Sequence, residues 1–332
     1  MAIYGQKLGI VGVGFVGAKV LSNVLAANLF SEIVLIDERK EKAAGEALDE
    51  RHAMGLGSTQ HVKVYAGNYS DLADADVIVV AATHIYKDEI PAERQDLLVD
   101  NIPVLDDVMT GISQHTREAI LIFISNPVDT LAHLAVTEYN YPQERVLSTG
   151  TMLDSARLRY AVADHYGIDP KSVTGYMLGE HGMSSFAACS QLNVQGIPFD
   201  HLSDYFEGVS PLDVDQLTEE VVQSAYDVFT NKTGVTDAAI ARVAVELLTT
   251  IVLDQDTILT VGTFFGQGIY DLDQAVTFSL PSQIGRQGVV RTFQIPLNDW
   301  EKKKLAQSVA VIDQSIRFGR ERLQEYRKNK EA

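Results

Sequence analysis

The short apolar run Lys7-Leu8-Gly9-Ile10-Val11 meets Gly12-Val13-Gly14-Phe15-Val16-Gly17, and a helical pattern opens at Ala18-Lys19-Val20-Leu21. Few arrangements satisfy that order. A run of this kind reads as a buried strand. Gly12 allows the tight turn out of it, Gly14 lets the backbone approach a pyrophosphate closely, and Gly17 lets helix and strand pack. The helix start then presents free N–H groups and the positive end of its dipole to phosphates. A second strand, Ile33 to Ile36, ends in Asp37, twenty residues after Gly17. An acid there accepts hydrogen bonds from ribose hydroxyls and repels a 2′-phosphate, which favours NAD over NADP. A glycine-rich turn with a capping Asp would share the same letters, but not the flanking strand and helix.

The alternation continues. Residues 41–56 read as helix, 62–66 as strand and 75–82 as a buried strand. Parallel strands linked by helices make a doubly wound α/β sheet, whose ligands bind beyond the carboxyl ends of the strands. The candidate cofactor contacts are therefore Gly12, Val13, Gly14, Phe15, Val16, Gly17, Asp37, the strand-end pair Ala81 and Ala82, and Asn126 at the end of the strand 119–125. Asn126 also precedes a proline, where turn-forming Asn is common. The expected division is a Rossmann NAD-binding domain over residues 1–149 and an α+β substrate domain over 150–332.

The polar, irregular stretch 83–93 leads into a helix at Arg94, as a mobile lid would. Arg94 could swing over a substrate or simply be a solvated arginine at a helix start. Asp154 and Arg157 are three residues apart on one helical face. They form either an ordinary ion pair or a working one, in which Arg157 grips a substrate carboxylate and Asp154 accepts the Nδ1 proton of a histidine. The histidine is His181, in Leu178-Gly179-Glu180-His181-Gly182, placed where a strand would run into a tight turn.

Composition closes off other classes. Of 332 residues, 46% are hydrophobic and 22% charged, with a formal net charge of −18. That balance argues against nucleic acid and anionic membrane as partners. No apolar run is long enough to span a bilayer. The single cysteine, Cys189, allows no intrachain disulfide and suits a reducing cytoplasm. No metal-ligand cluster is expected.

Together these motifs resemble the L-lactate/malate dehydrogenase family, particularly its L-lactate and L-2-hydroxyisocaproate dehydrogenase branch. They are GVGFVG at 12–17, Asp37, Asp49 with His52, ISNPVD at 124–129, GTMLDSAR at 150–157, LGEHG at 178–182, Gly234-Val235-Thr236, and SLPSQIGRQGV at 279–289. They run in family order over nearly the whole chain. The resemblance implies that His181 with Asp154 relays the proton, Arg157 binds the substrate carboxylate, and Arg94 polarises the carbonyl. It further implies that Asn126, Thr236 and Ile240 contact substrate, that NAD is the cofactor, and that the chain forms a homo-oligomer, a tetramer in preference to a dimer.

Several positions depart from the family pattern. Thr83 stands where Gly is usual, the loop after it is longer than in lactate dehydrogenases, and Met183 replaces an Asp or Asn. Ile85, Tyr86, Lys87 and Asp88 all compete to set specificity. Arg159 matches one of the basic residues that bind fructose 1,6-bisphosphate in allosteric relatives, but Thr174 replaces the histidine, so no such activation is expected. The expected activity is NAD-dependent interconversion of L-2-hydroxy acids and 2-keto acids with apolar side chains, from pyruvate to branched or aromatic homologues such as 2-ketoisocaproate. Malate dehydrogenase is the alternative, disfavoured because no loop arginine awaits a second carboxylate. A non-catalytic NAD-binding protein is a further one, disfavoured by the joint presence of His181, Asp154, Arg157 and Arg94.

Overall fold

The computed structural model describes residues 6–56, 61–86, 94–232 and 234–331, without the side chains of Arg94 and Gln95. The first half comprises β1 (Lys7–Val11), α1 (Phe15–Ala27), β2 (Glu32–Ile36), α2 (Lys40–Ala53), β3 (Lys63–Ala66), β4 (Val77–Val80), α3 (Arg94–His115), β5 (Ile120–Phe123), α4 (Val128–Tyr139) and β6 (Val146–Ser148). Its strands lie parallel in the order β6-β5-β4-β1-β2-β3. This is the expected doubly wound Rossmann sheet. The order reverses between β1 and β4, so the crevice lies where the glycine turn leaves β1 and Ala81-Ala82 leave β4. Helix α1 begins at Phe15, ahead of the expected Ala18, because extended Gly14 serves as its N-cap. The strand expected over 75–82 is trimmed to Val77–Val80.

The second half adds α5 (Met152–Tyr166), β7 (Val173–Thr174), β8 (Met177–Leu178), β9 (Phe186–Ala187), β10 (Asn193–Val194), β11 (Ile197–Pro198), α6 (Leu202–Tyr205), α7 (Val214–Lys232), α8 (Ala238–Val252), β12 (Thr257–Phe265), β13 (Val276–Gly285), β14 (Gly288–Thr292) and α9 (Asp299–Glu331). This is the expected α+β half. Its three long strands do not form a separate sheet. They continue the parallel sheet as antiparallel neighbours, β14-β13-β12-β6, joined through the pair Gly262 and Ser148. A Cβ on Gly262 would lie 2.0 Å from Ser148 Oγ, so only glycine lets the two strands come this close.

Strand β13 runs through Pro281. Proline is tolerated in a strand where no ladder partner needs its N–H. Here the Pro281 carbonyl accepts the Phe293 N–H at 2.9 Å, and the β14 ladder starts only at Ser282, so the missing donor faces a strand end. Helix α9 buries Leu305, Val309, Ile312 and Ile316 together with Phe278 and Leu280 of β13. Each such side chain contributes about 1.5–3 kcal/mol when taken out of water. Lys302 and Lys303 are exposed, while the adjoining Glu301 is fully buried. Its carboxylate is satisfied by the Ser190 N–H and hydroxyl and by the Asn298 N–H. Cys189 is buried and unpaired, and burial first, then nearby Glu301, pushes its thiol up to about 12, so it is a packed group and no nucleophile. Among the described residues, no helix is long and apolar enough to cross a membrane.

Candidate active site

The cofactor crevice is built by backbone proximity. Gly12 has φ +91°, and a Cβ there would sit 2.3 Å from the Ala82 backbone nitrogen. A Cβ on Gly17 would lie 1.9 Å from the Gly12 carbonyl oxygen. Both glycines are thus demanded by sterics. Gly14 differs, since a Cβ there would meet nothing within 4 Å. The open space lies at the α1 N-terminus, which has neither a side-chain cap nor an acid in its first turn. Unpaired N–H groups facing open space are what a phosphate needs. Asp37 receives the Val13 N–H at 2.9 Å and the Arg39 N–H at 3.0 Å, fixing its carboxylate at the end of β2. Phe15 is 82% exposed and lies beside the turn. Val16 and Ala81 pack on the same core cluster as Ile240 of α8, so the second half of the chain supports the glycine turn. We expect Gly12→Ala to weaken NADH binding about tenfold or more in a fluorescence titration, from roughly 1–3 kcal/mol of strain and overpacking. An unchanged Kd would show that the turn is not the phosphate site.

The acid–base cluster forms where α5 meets the turn after β8. His181 Nδ1 is 2.6 Å from Asp154 Oδ2, and Arg157 Nη1 donates to Asp154 Oδ1 at 2.8 Å. All three therefore meet, as the sequence suggests. Burial alone would raise the Asp154 carboxyl, but the His181 ring and the Arg157 guanidinium hold it below its ordinary value. An ionised Asp154 takes the Nδ1 proton, which makes Nε2 the basic nitrogen of the neutral ring.

The His181 turn is clamped from three sides. Gly179 and Ser279 of β13 exchange backbone hydrogen bonds at 3.3 and 2.9 Å. The Glu180 N–H donates to Ser308 Oγ of α9 at 2.7 Å, and the His181 N–H donates to Asp129 Oδ2 of α4 at 2.8 Å. Gly179 has φ +87°, and a Cβ there would lie 2.4 Å from Ser308 Oγ. Asp129 carries no expectation from sequence beyond its place in ISNPVD. A signal exists nonetheless, because a carboxylate on the otherwise uncharged, wholly buried run Val128 to Ala135 requires partners.

Other expected residues are placed less completely. Asn126 is exposed at the end of the β5 strand segment, and its carbonyl accepts the Asn101 amide at 2.8 Å. Asn101, buried on α3, also receives the Thr83 hydroxyl at 3.0 Å and the His84 N–H at 2.7 Å. It therefore ties the entry of the loop to Asn126, a role that periodicity does not reveal. Thr236 and Ile240 flank the start of α8 and are partly buried. Ile85 and Met183 are exposed. Arg94 is the first residue of α3, but its side chain, together with Lys87 and Asp88 and the rest of 87–93, lies outside the described residues.

Comparison with known proteins bears on the whole chain. The lactate/malate dehydrogenase NAD binding domain matches residues 6–148, and the lactate/malate dehydrogenase alpha/beta C-terminal domain matches residues 151–322. L-lactate dehydrogenase 2 of Clostridium acetobutylicum is 40% identical over 312 residues, covering 94% of this chain and 97% of that protein. L-lactate dehydrogenase of Selenomonas ruminantium is 36% identical, covering 92% and 96%. The crystal structure of a lactate dehydrogenase from a Medee basin deep-sea metagenome superposes with a TM-score of 0.88 at 31% identity, covering 95% of this chain and 99% of that one. That of Cryptosporidium parvum lactate dehydrogenase, complexed with lactic acid and nicotinamide adenine dinucleotide, superposes with a TM-score of 0.88 at 25% identity, covering 96% and 98%. Such agreement spans both halves and the residues that bring them together. The chain belongs to the lactate/malate dehydrogenase family, on its L-lactate dehydrogenase side, and is an NAD-dependent oxidoreductase of 2-hydroxy and 2-keto acids.

Proposed function

We propose that this enzyme interconverts L-2-hydroxy acids and 2-keto acids with apolar side chains, from pyruvate to branched and aromatic homologues such as 2-ketoisocaproate. The observation that carries its chemistry is the linked trio of His181, Asp154 and Arg157, at 2.6 and 2.8 Å. NAD, held by Gly12 to Gly17, Asp37, Ala81, Ala82 and Asn126, supplies the hydride acceptor or donor when bound. His181 Nε2 takes the hydroxyl proton in oxidation and returns it to the carbonyl oxygen in reduction. Asp154 holds the ring in the required tautomer and offsets the positive charge it gains. Arg157 anchors the substrate carboxylate. Arg94 and the imidazolium stand against the oxygen where negative charge develops. Asn126, Thr236 and Ile240 complete the substrate contacts. The NAD-binding part corresponds to residues 1–149 and the substrate part to 150–332.

The apolar preference rests on the exposed Met183 beside His181, on Ile85 at the loop entry, and on the lack of any arginine between Thr83 and Glu93. NADH oxidation with pyruvate, 2-ketoisocaproate, phenylpyruvate and oxaloacetate, compared by kcat/KM, tests it. We expect an apolar acid to lead and oxaloacetate to trail by about tenfold or more, since a second carboxylate without a partner costs roughly 1–3 kcal/mol. Oxaloacetate in first place would make the enzyme a malate dehydrogenase with Lys87 as the partner of that carboxylate. In the same assay fructose 1,6-bisphosphate should leave the keto-acid KM unchanged. Arg159 is turned inward, donating to the Gly175 carbonyl at 3.2 Å, and exposed Thr174 is no cation. The resemblance to the family favours a homotetramer over a dimer, which sedimentation would check. A single buried cysteine suits a cytoplasmic enzyme.

A further inference from the structure

Asp129 is 3% exposed and lies in the first turn of α4. Both its oxygens are engaged. Oδ2 accepts the His181 backbone N–H at 2.8 Å, and Oδ1 accepts the Ser148 hydroxyl of β6 at 2.7 Å. On a third side β12 closes in, since a Cβ on Gly262 would come within 2.5 Å of Oδ1. The carboxylate thus sits where α4, β6, β12 and the catalytic turn converge. No cation is paired with it among the described residues. The titratable groups facing it are His181 and Glu180, both on the turn; Ser148 and Gly262 bring none. His133, one turn further along α4, is kept neutral by burial and by Arg320, its imidazole lowered to about 4.

An acid held this way is expensive for the fold if its only task is to receive two neutral donors. A serine or asparagine would accept the same N–H without a buried charge. The charge therefore calls for a use. We infer that Asp129 is a positioning residue for the dehydrogenase reaction, fixing the His181 main chain through its N–H and supplying a second buried negative charge that favours the His181 imidazolium. Asp154 acts on the ring edge, and Asp129 acts from behind the backbone. Burial pushes the Asp129 carboxyl up to about 6 against the opposing pull of the His181 N–H, the Ser148 hydroxyl and the His181 ring. Falling pH therefore removes this charge before that of Asp154, whose carboxyl is held below its ordinary value.

The sign of the effect follows. An anion near His181 raises the imidazole pKa, so removing the anion lowers it. Asp129→Asn keeps the shape and one acceptor for the His181 N–H, and the Ser148 hydroxyl can turn to accept from the new amide. The His181 ring, followed by NMR titration and assigned by its loss in a His181→Ala protein, should titrate about one unit lower. The upper limb of the kcat/KM profile for keto-acid reduction should move down by the same amount, with NADH affinity unchanged. A lowered Tm with an unmoved His181 midpoint would overturn the inference, because a purely structural role predicts that pattern.

Ser148→Ala provides a second test that preserves the carboxylate. With one donor fewer, Asp129 holds its proton to higher pH. The ratio of kcat/KM at pH 6.5 to that at pH 8 should then fall about threefold. A ratio equal to that of the wild-type protein counts against the inference. The inference rests on His181 as the proton donor, but the two can fail separately. Undiminished turnover in His181→Ala would end the donor role, whereas the ring titration reads the influence of Asp129 whatever the ring does in catalysis.

Discussion

Replacing His181 with alanine is expected to lower kcat by roughly 10²–10⁴, the usual contribution of a positioned acid–base group. NADH affinity should stay within about threefold, because the glycine turn and Asp37 lie at the ends of β1 and β2, whereas the imidazole is on the turn after β8. The two quantities separate cleanly in a fluorescence titration of NADH followed by steady-state rates. Loss of the ring also leaves Asp154 with Arg157 as its remaining partner, at 2.8 Å. Such a buried carboxylate, stripped of one of two stabilising groups, should rise in pKa, so the residual rate should gain an acid limb at higher pH than the wild-type protein shows. Turnover at the wild-type level would remove His181 from the mechanism.

Arg157→Lys should raise the keto-acid KM about 30- to 150-fold, equivalent to roughly 2–3 kcal/mol for the loss of a charge-assisted, two-pronged contact. The charge survives in the lysine, but the geometry does not. A guanidinium presents five donors in a plane, so one nitrogen can serve Asp154 while others meet a carboxylate side-on. An ammonium on a four-carbon stem must choose. If it turns to Asp154, the substrate loses its anchor; if it turns to the substrate, Asp154 loses a partner and His181 its orientation. Inhibition by a simple carboxylate analogue should weaken in parallel with KM. A KM that does not move would mean that the substrate carboxylate binds elsewhere.

Much of this architecture is legible in the residues. The strand–glycine–helix start stands at the end of β1 as read, Asp37 follows the second strand, and the spacing of Asp154 and Arg157 puts both on one face of α5. These features are local, and local spacing reports them directly. What the sequence hides is long-range. The His181 turn is held by residues from three other elements, Asp129, Ser279 and Ser308, which are far from it along the chain. No periodicity links them. Pro281 reads as a strand end, yet the strand continues because its missing donor faces the end of a neighbouring ladder. The joining of β12 to β6 hangs on Gly262, a residue indistinguishable from any other glycine until its neighbours are known.

The Ser308 hydroxyl that receives the Glu180 N–H belongs to the last helix of the chain. The same helix buries Leu323 in the core that β4, β5, α3 and α4 build in the first half of the chain, and its Arg320 and Arg327 pair with Glu138 and Asp106 there. One element therefore closes both halves, so loosening of α9 would disturb the parallel sheet's packing and the His181 turn together.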